Sequence, residues 1–412
     1  MRTEISNTAL ANLVVLVALG CVPIEQSLGT GDSGLTDPQS ATVQPTLQVP
    51  TPSDPNAFTQ LALGLLHGCA LRAGGHVYCW GSNFSGELGI AASQGRGWAE
   101  AVPGLDGLAA ISAGGSSTCA IGLDGGASCW GEVFIAQDGT QGGYSAKESL
   151  PTPMTALTNI VQFSHGDEFN CARLGTGEVR CWGLNHRGQL GDGTRTGRAG
   201  AESAVGPGAL VMNGAIDIAS GDDKSCALDV QGRVFCWGRV SIDQSYGTQD
   251  TDQLSPTQVE ISDVLALDVG RTQVCALQRN GKVYCWGSNF VGQLGNGSTQ
   301  GSLTPVQVAG LSDAVKVVTG GNQGCALRAT GSVVCWGDNY QGILGTGDDL
   351  PHTIPAPVVE LDDVYELDKG DSFTCALSYT KGLLCWGNNA NLQVGDGTDQ
   401  IRTRPVPVVI VD

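Results

Sequence analysis

Cys275-Ala276-Leu277-Gln278-Arg279-Asn280-Gly281-Lys282-Val283-Tyr284-Cys285-Trp286-Gly287 is the stretch that decides the architecture of this chain. It reads as two short strands around a tight turn. Its cysteines sit ten positions apart, and a Trp-Gly pair follows the second. Gly281 falls just after the turn centre, where the left-handed position of a three-residue hairpin loop with a bulge wants glycine. That loop sets Cys275 opposite Cys285. Opposed Cα atoms in an antiparallel pair lie roughly 4.5–5.5 Å apart, within the span of a disulfide. Strand alternation puts Cys275, Leu277, Val283 and Cys285 on one face, and Ala276, Tyr284 and Trp286 on the other. Both faces are largely apolar, so the hairpin is expected to be covered on both sides.

The pattern occurs seven times. The pairs are Cys69/Cys79, Cys119/Cys129, Cys171/Cys181, Cys226/Cys236, Cys275/Cys285, Cys325/Cys335 and Cys375/Cys385. The turn glycine recurs at Gly75, Gly125, Gly177, Gly232 and Gly331, and the seventh copy shifts it by one to Gly382. Seven disulfides within hairpins are therefore expected. Zinc sites are disfavoured, because cysteine ligands for zinc come as close pairs with a second such pair, a spacing absent here. The residue facing each Trp is Gly68, Thr118, Asn170, Ser225, Val274, Gly324 or Thr374, mostly small enough to leave room for an indole. From Cys79 to Cys385 the six intervals between second cysteines average 51 residues. A period near 50 belongs to propellers or solenoids, and a sheet covered on both faces by its neighbours is a propeller blade.

A second signature follows Trp-Gly. It reads Asn289-Phe290-Val291-Gly292-Gln293-Leu294-Gly295 in the fifth copy, with related runs at Asn83 to Gly89, Asn185 to Gly191 and Asn339 to Gly345. The seventh copy keeps Asn389 and Gly395 but carries Leu392 for the first Gly. The second copy (Gly131-Glu132-Val133-Phe134) and the fourth (Gly238-Arg239-Val240-Ser241) lose it. A Pro-containing run such as Thr304-Pro305-Val306-Gln307-Val308 comes next. On these motifs the chain resembles the regulator of chromosome condensation repeat family, in its bacterial, cysteine-bearing form, over residues 57–412. The resemblance implies an all-β, seven-bladed propeller with four-stranded antiparallel blades. It also implies a ring closed by strands from both termini. The chain starts within a repeat at Thr59-Gln60-Leu61-Ala62-Leu63 and ends with Arg404-Pro405-Val406-Pro407-Val408-Val409-Ile410-Val411, the part the first repeat is expected to lack.

The fifteenth cysteine, Cys21, stands outside the pairs. Residues 1–21 read as an export signal: Arg2, then the short apolar core Leu13-Val14-Val15-Leu16-Val17-Ala18-Leu19, then Gly20-Cys21. The core is shorter than the roughly 20 residues a membrane-spanning helix needs. Ala18-Leu19-Gly20-Cys21 resembles the lipobox of bacterial lipoproteins, with Ala18 where Leu is usual, which makes Cys21 the expected lipidation site. Residues 22–56 are rich in Ser, Thr, Pro, Gln, Gly and Asp and read as a disordered tether. Gly31-Asp32-Ser33-Gly34 resembles the surroundings of a protease nucleophile, but a flexible tether supplies no rigid oxyanion hole.

The net charge of −19 opposes binding to a phosphate backbone. The five histidines, His67, His76, His165, His186 and His352, show no metal-ligand spacing. Gly191-Asp192-Gly193-Thr194, Gly295-Asn296-Gly297-Ser298 and Gly395-Asp396-Gly397-Thr398 resemble fragments of calcium loops, but turn use of Asp, Asn and Gly explains them better. The acidic doublets Asp222-Asp223, Asp348-Asp349 and Asp362-Asp363 read as loop charges that could draw basic partners to one rim. No catalytic, cofactor or metal residue is assigned. The expected function is a non-enzymatic binding scaffold tethered to the cell envelope, at the outer membrane or cell surface, or otherwise secreted. It would act as a monomer, bind a protein, peptide or glycan but no nucleic acid, and meet the membrane only through its lipid. The alternative is a secreted propeller enzyme, a lyase or glycan hydrolase, with titratable residues converging on one rim. A third reading follows from the resemblance: guanine-nucleotide exchange on a small GTPase. No loop insertion matching that activity stands out between the repeats.

Overall fold

The computed structural model describes residues 54–136, 143–155, 157–198, 210–240 and 252–412. The expected export signal with Cys21, and the expected tether up to residue 53, lie outside the described residues. Pro55, within the stretch expected to be tether, already meets the first blade, its carbonyl accepting from Gly74 N–H (3.0 Å), next to Ala57, whose carbonyl accepts from Ala73 N–H (2.8 Å).

Seven sheets form the ring, one per repeat. Each runs inner, second, third and outer strand in chain order. In blade one these are Phe58–Leu63, His67–Arg72, Val77–Gly81 and Arg96–Ala101. In blade five they are Val264–Val269, Gln273–Gln278, Val283–Gly287 and Ser302–Gln307. The first blade therefore lacks nothing, because all four of its antiparallel strands come from the N-terminal repeat. Arg402–Pro407 is the outer strand of blade seven. Only Ile410–Val411 crosses to blade one, where it pairs parallel with Ala99 and Glu100 as a fifth strand. The ring is closed there by a C-terminal strand on an N-terminal blade, and Tyr365 OH reinforces the seam by donating to Phe58 O (2.9 Å).

The hairpin reading holds in detail. In blade one Arg72 N–H donates to His76 O and Gly75 N–H to Arg72 O, both at 2.9 Å, which leaves a three-residue loop. Gly75 has φ +81° and Gly281 φ +77°, the left-handed conformation that Cβ-bearing residues avoid. In blade seven Gly382 (φ +72°) takes that role, and Ser378 pairs with Gly382. Each cysteine faces its partner across the hairpin. The disulfides are Cys69–Cys79, Cys119–Cys129, Cys171–Cys181, Cys226–Cys236, Cys275–Cys285, Cys325–Cys335 and Cys375–Cys385, with Cα atoms 4.0–4.1 Å apart. That is closer than the 4.5–5.5 Å expected of an opposed pair.

The core is seven layers between blades. The cysteine face of blade five (Cys275, Leu277, Val283, Cys285) packs against Ala326, Val334 and Trp336 of blade six. Its other face (Val274, Ala276, Trp286) meets Ala219, Leu228 and Val234 of blade four. The same arrangement joins blade seven to blade one through Cys375, Leu377 and Cys385 against Ala70 and Trp80. The indole needs the small residue opposite it: a Cβ added to Gly68 would lie 2.6 Å from the Trp80 ring.

Around the axis, a polar clasp ties each inner strand to the next. Gln60 makes both hydrogen bonds to the backbone of Ile111 (2.9 and 3.0 Å). Ser112 Oγ donates to Phe163 O (3.2 Å), and Gln162 Nε2 to Ile218 O (3.0 Å). Asp217 accepts from Leu267 N–H (3.5 Å), Asp268 from Thr319 Oγ1 (3.0 Å), and Asp368 from Leu63 N–H (2.8 Å). Lys316 pairs with Glu366 (2.6 Å) to complete the hoop. These residues are half-buried or buried and their polar groups are satisfied, as groups withdrawn from water must be.

Candidate functional site

The loops from inner to second strand gather around the axis on one face, the upper face. They touch through backbone. Leu65 N–H donates to Gly115 O (2.8 Å), Asp167 N–H to Asp222 O (3.3 Å) and Arg271 N–H to Gly320 O (3.1 Å). Close approach requires glycine here: a Cβ on Gly370 would lie 2.6 Å from Gly64 O. The loop tips carry Leu65, Gly115, Asp167, Asp222, Arg271, Gly321 and Asp371. Three carboxylates and one guanidinium therefore face one another across the mouth of the channel.

Their environment moves their acidity. Asp167 is exposed as a residue, but the crowding loops of the mouth partly desolvate its carboxyl and, with the neighbouring charge of Asp222, push it up to about 7, with Arg271 opposing. Burial raises Asp371 against the pull of Arg271 and Lys369. Burial, then Asp222, raises Asp223. Lys224 lies buried beneath and is lowered by that burial, its Nζ donating to Arg271 O (2.6 Å). Arg239 sits 3.5 Å from Asp222 Oδ2, and His186 3.6 Å from Asp223.

The loops after Trp-Gly stand on the same face, further from the axis. In blades one, three, five, six and seven a buried Asn ties the loop into a knot. Asn289 Oδ1 accepts from Leu294 N–H (2.8 Å), while its Nδ2 donates to Ser298 O and Gln300 O (3.0 Å each). Asn83, Asn185, Asn339 and Asn389 do the same for Leu88, Leu190, Leu344 and Val394. The knot then latches to the next blade. The carbonyls of Glu87, Gln189, Gln293 and Gln393 accept the indole N–H of Trp130, Trp237, Trp336 and Trp80 at 2.8–3.0 Å. The residue after each Asn points outward. Phe84 is 75% exposed and Tyr340 71%, with Phe290 also exposed and His186 at the matching place in blade three.

Blade two departs from this plan. Its third strand runs on, Ala127–Ala136, and pairs with the long outer strand Gly143–Met154. The hairpin rises from the upper face beside blade one, where Lys147 Nζ donates to Phe84 O (3.3 Å). The sequence showed the second copy losing the Asn motif but not this extension.

The residues singled out in the sequence fall into three groups. The disulfide cysteines brace the blades and line no ligand site. Cys171 and Cys181 are packed against Ala227 and Trp237 of blade four, and Cys325 and Cys335 against Ala376 and Trp386 of blade seven. Cys69, Cys79, Cys119, Cys129, Cys226, Cys275, Cys285, Cys375 and Cys385 are buried in the same way, whereas Cys236 is only half-buried, at the margin of the layer between blades four and five. His67 and His165 are buried under the mouth, which lowers their pKa to about 3 and about 4 and keeps both rings neutral. His67 Nε2 meets Thr118 Oγ1 (2.8 Å), and His165 Nδ1 meets Asn170 Oδ1 (2.6 Å). His76 pairs with Asp106 (3.1 Å) and His352 with Asp348 (3.3 Å), each by itself. The calcium-like fragments serve as turns, with Asp192 and Asp396 accepting from Thr194 N–H (2.9 Å) and Thr398 N–H (3.0 Å). Among the described residues no group of three or more His, Cys, Asp or Glu is placed to hold a metal. The acidic doublets do not share one rim. Asp222-Asp223 belongs to the mouth, whereas Asp363 binds Ser378 Oγ (2.6 Å) and Thr380 N–H (2.8 Å) at the hairpin end of blade seven.

Asp167, Arg271 and Asp371 were missed, because they lie tens of residues apart. A signal was nevertheless available. Each stands four positions before the first cysteine of its pair, as does Asp222. Aligning the repeats on that cysteine collects the mouth.

The profile of the RCC1-like domain family matches residues 25–358. Curated relatives include the E3 ubiquitin-protein ligase HERC2 of Mus musculus, 28% identical over 201 residues, which is 48% of this chain and 4% of that protein. The mitochondrial RCC1 domain-containing protein RUG3 of Arabidopsis thaliana is 27% identical over 214 residues, 50% of this chain and 47% of that one. The chain thus spans about half or less of the curated relatives it matches. Among solved structures, Prp20p of Saccharomyces cerevisiae superposes with a TM-score of 0.69 at 19% identity, covering 82% of this chain and 86% of that one. That likeness is one of fold.

Proposed function

This chain belongs to the RCC1-like domain family, and from that premise we propose that it is a non-enzymatic binding scaffold whose upper face receives a protein, peptide or glycan. The supporting observation is the division of labour between the two halves of each repeat. The hairpin, its disulfide and the inner hoop repeat around the ring. The upper-face loops differ from blade to blade and carry exposed aromatic and charged side chains. A rigid frame with variable loops is how recognition surfaces are built. The seven disulfides suit an oxidising compartment. With the lipobox-like end at Cys21, they favour a monomer exported to the cell envelope and held by lipid. Neither the ligase activity of HERC2 nor the Gsp1p and histone binding named for Prp20p is carried over. The charge of −19 and the paired cysteines run against a cytosolic nucleotide exchanger or a nucleic-acid binder.

A second reading has an observation of its own. Asp167, raised to about 7 beside Asp222, has the acidity of a general acid or base at neutral pH. A rim enzyme acting on a glycan could use that pair.

The test is a photo-crosslinking amino acid in the full-length protein on intact cells, at Tyr340 on the upper face or at Asn280 on the opposite one. Specific adducts are expected from Tyr340. Adducts from Asn280 alone would refute the assignment of the face.

A further inference from the structure

We propose that the inner edge of the third strand of blade two takes up an extended, Lys- or Arg-bearing peptide as an added β-strand. The inference rests on the upper-face reading above and names the ligand class for it.

The edge follows from the register. The third strand pairs with the second strand only as far as Ser117 opposite Gly131. With the outer strand it pairs on to Ala136 opposite Gly143. Over residues 132–136, therefore, no strand among the described residues pairs with its inner side. Alternate residues of a strand direct their backbone groups to opposite neighbours. Glu132 N–H donates inward to Ser116 O (2.8 Å), so Phe134 and Ala136 also turn their N–H and C=O groups inward. Val133 and Ile135 turn theirs to the outer strand. With Glu132 N–H already taken by Ser116 O, the four residues Val133 to Ala136 offer about 13 Å of edge.

Natural sheets blunt such an edge with Pro, Lys or a bulge, or cover it with a loop. Glu132-Val133-Phe134-Ile135-Ala136 contains no Pro, Gly or Lys. In blades one, three, five, six and seven the knotted Asn loop stands at this place instead, as Asn289 does in blade five. A receptive edge with backbone groups for affinity and alternating side chains for specificity is the strand-addition mode of peptide recognition.

The surroundings select the sign of the peptide. Glu132 lies close enough to Glu168 to help raise its pKa, after desolvation, together with Asp223 and Asp222 and against His186. The inner side of the edge thus opens on the acidic mouth, with Asp167 exposed beside it. Positive side chains projecting from an added strand meet complementary potential there. A second copy of this chain would bring its own Glu132 and another −19 charges to the same place, so a cationic peptide is the better occupant.

The experiment uses the full disulfide-bonded chain and fluorescence anisotropy. The probes are a labelled acetyl-Lys-Val-Lys-Val-Lys-Val amide, its fully N-methylated form, and a Glu-for-Lys analogue. Saturable binding of the first is expected. N-methylation, which removes every backbone donor but keeps the charge, should weaken it at least about tenfold, since one or two hydrogen bonds are worth that much. The Glu analogue should not bind. Phe134→Pro should weaken the Lys peptide about tenfold, because it deletes one edge donor and spares the ladder to the outer strand. Should that variant misfold, the N-methylated probe still decides the matter on the unaltered chain. Equal binding of the N-methylated or Glu probe overturns the proposal. So does a dimer in sedimentation that Phe134→Pro converts to a monomer, because the edge then serves a second copy. If no probe binds but Tyr340 still yields adducts on cells, strand addition falls and the upper face stands. If Tyr340 yields none either, both fall.

Discussion

Blades five and two begin alike and end differently. In both, opposed cysteines are bridged with Cα atoms 4.1 Å apart, in matching register. After Trp-Gly the paths separate. In blade five Asn289 gathers three backbone groups around its amide, and Gly292 (φ +83°) and Gly295 (φ +64°) let the chain turn. In blade two Val133 stands in the place of Asn289 and Ala136 in the place of Gly292, so the amide knot and the first left-handed glycine are both missing. β-branched and aromatic residues favour extended backbone, so the strand simply continues. The comparison separates two layers of specification. The hairpin is fixed by the cysteine register and the turn glycine, whereas the upper face is fixed by whether one Asn follows.

The largest test addresses what the blades share. Replacing Cys275 and Cys285 together by Ala should lower unfolding free energy by about 2–3 kcal/mol, the chain-entropy value for so short a loop. Replacing Cys119 and Cys129 should cost the same. Urea denaturation measures both. A markedly cheaper loss in blade two would break the claim that the hairpin is one unit repeated around the ring.

The next addresses what they do not share. Asn289→Ala strips the acceptor from Leu294 N–H and the donor from Ser298 O and Gln300 O in a buried place, and should cost about 2 kcal/mol. Glu132→Ala, at the start of the continuing strand, should stay within about 0.5 kcal/mol. Similar costs at both sites would mean that the knot is not what distinguishes the blades.

The hairpin was legible because its causes are local: a glycine at a positive-φ position, cysteines in register, a Trp opposite a small residue. The mouth was not, since Asp167, Asp222, Arg271 and Asp371 meet only when four separate repeats close a ring. Their common offset from the cysteine was visible, but their mutual approach depends on that closure. The closure itself was half legible. The run from Arg404 to Val411 reads as the missing part of blade one, yet Val406 and Pro407 pair with Cys385 and Leu384 in blade seven and only Ile410–Val411 crosses. Two residues, Ile410 and Val411, were too short a signal to read as a parallel fifth strand. The blade-two extension escaped because losing a motif does not say what replaces it. Cys21 belongs to a segment about which the propeller's geometry says nothing.

The smallest test concerns the latch between blades. Trp130 and Trp386 are both fully buried, each against the blade before it. Trp130 Nε1 donates to Glu87 O at 2.8 Å. Trp386 Nε1 finds no acceptor among the described residues. At the matching place in blade six stands Ile343, whose carbonyl takes Thr374 Oγ1 (3.2 Å) instead. Substitution by Phe removes a similar apolar surface from each layer, so the transfer and cavity costs should nearly cancel between the two sites. What remains is one hydrogen bond. Trp130→Phe should therefore cost about 1 kcal/mol more than Trp386→Phe, at the low end because Glu87 O still accepts from Thr118 Oγ1 (3.0 Å). If the two substitutions cost the same, the indole N–H adds nothing to blade–blade cohesion. The latch would then be the apolar contact of the ring against the Leu-Gly turn, which Trp386 makes at Gly345 as Trp336 does at Gly295.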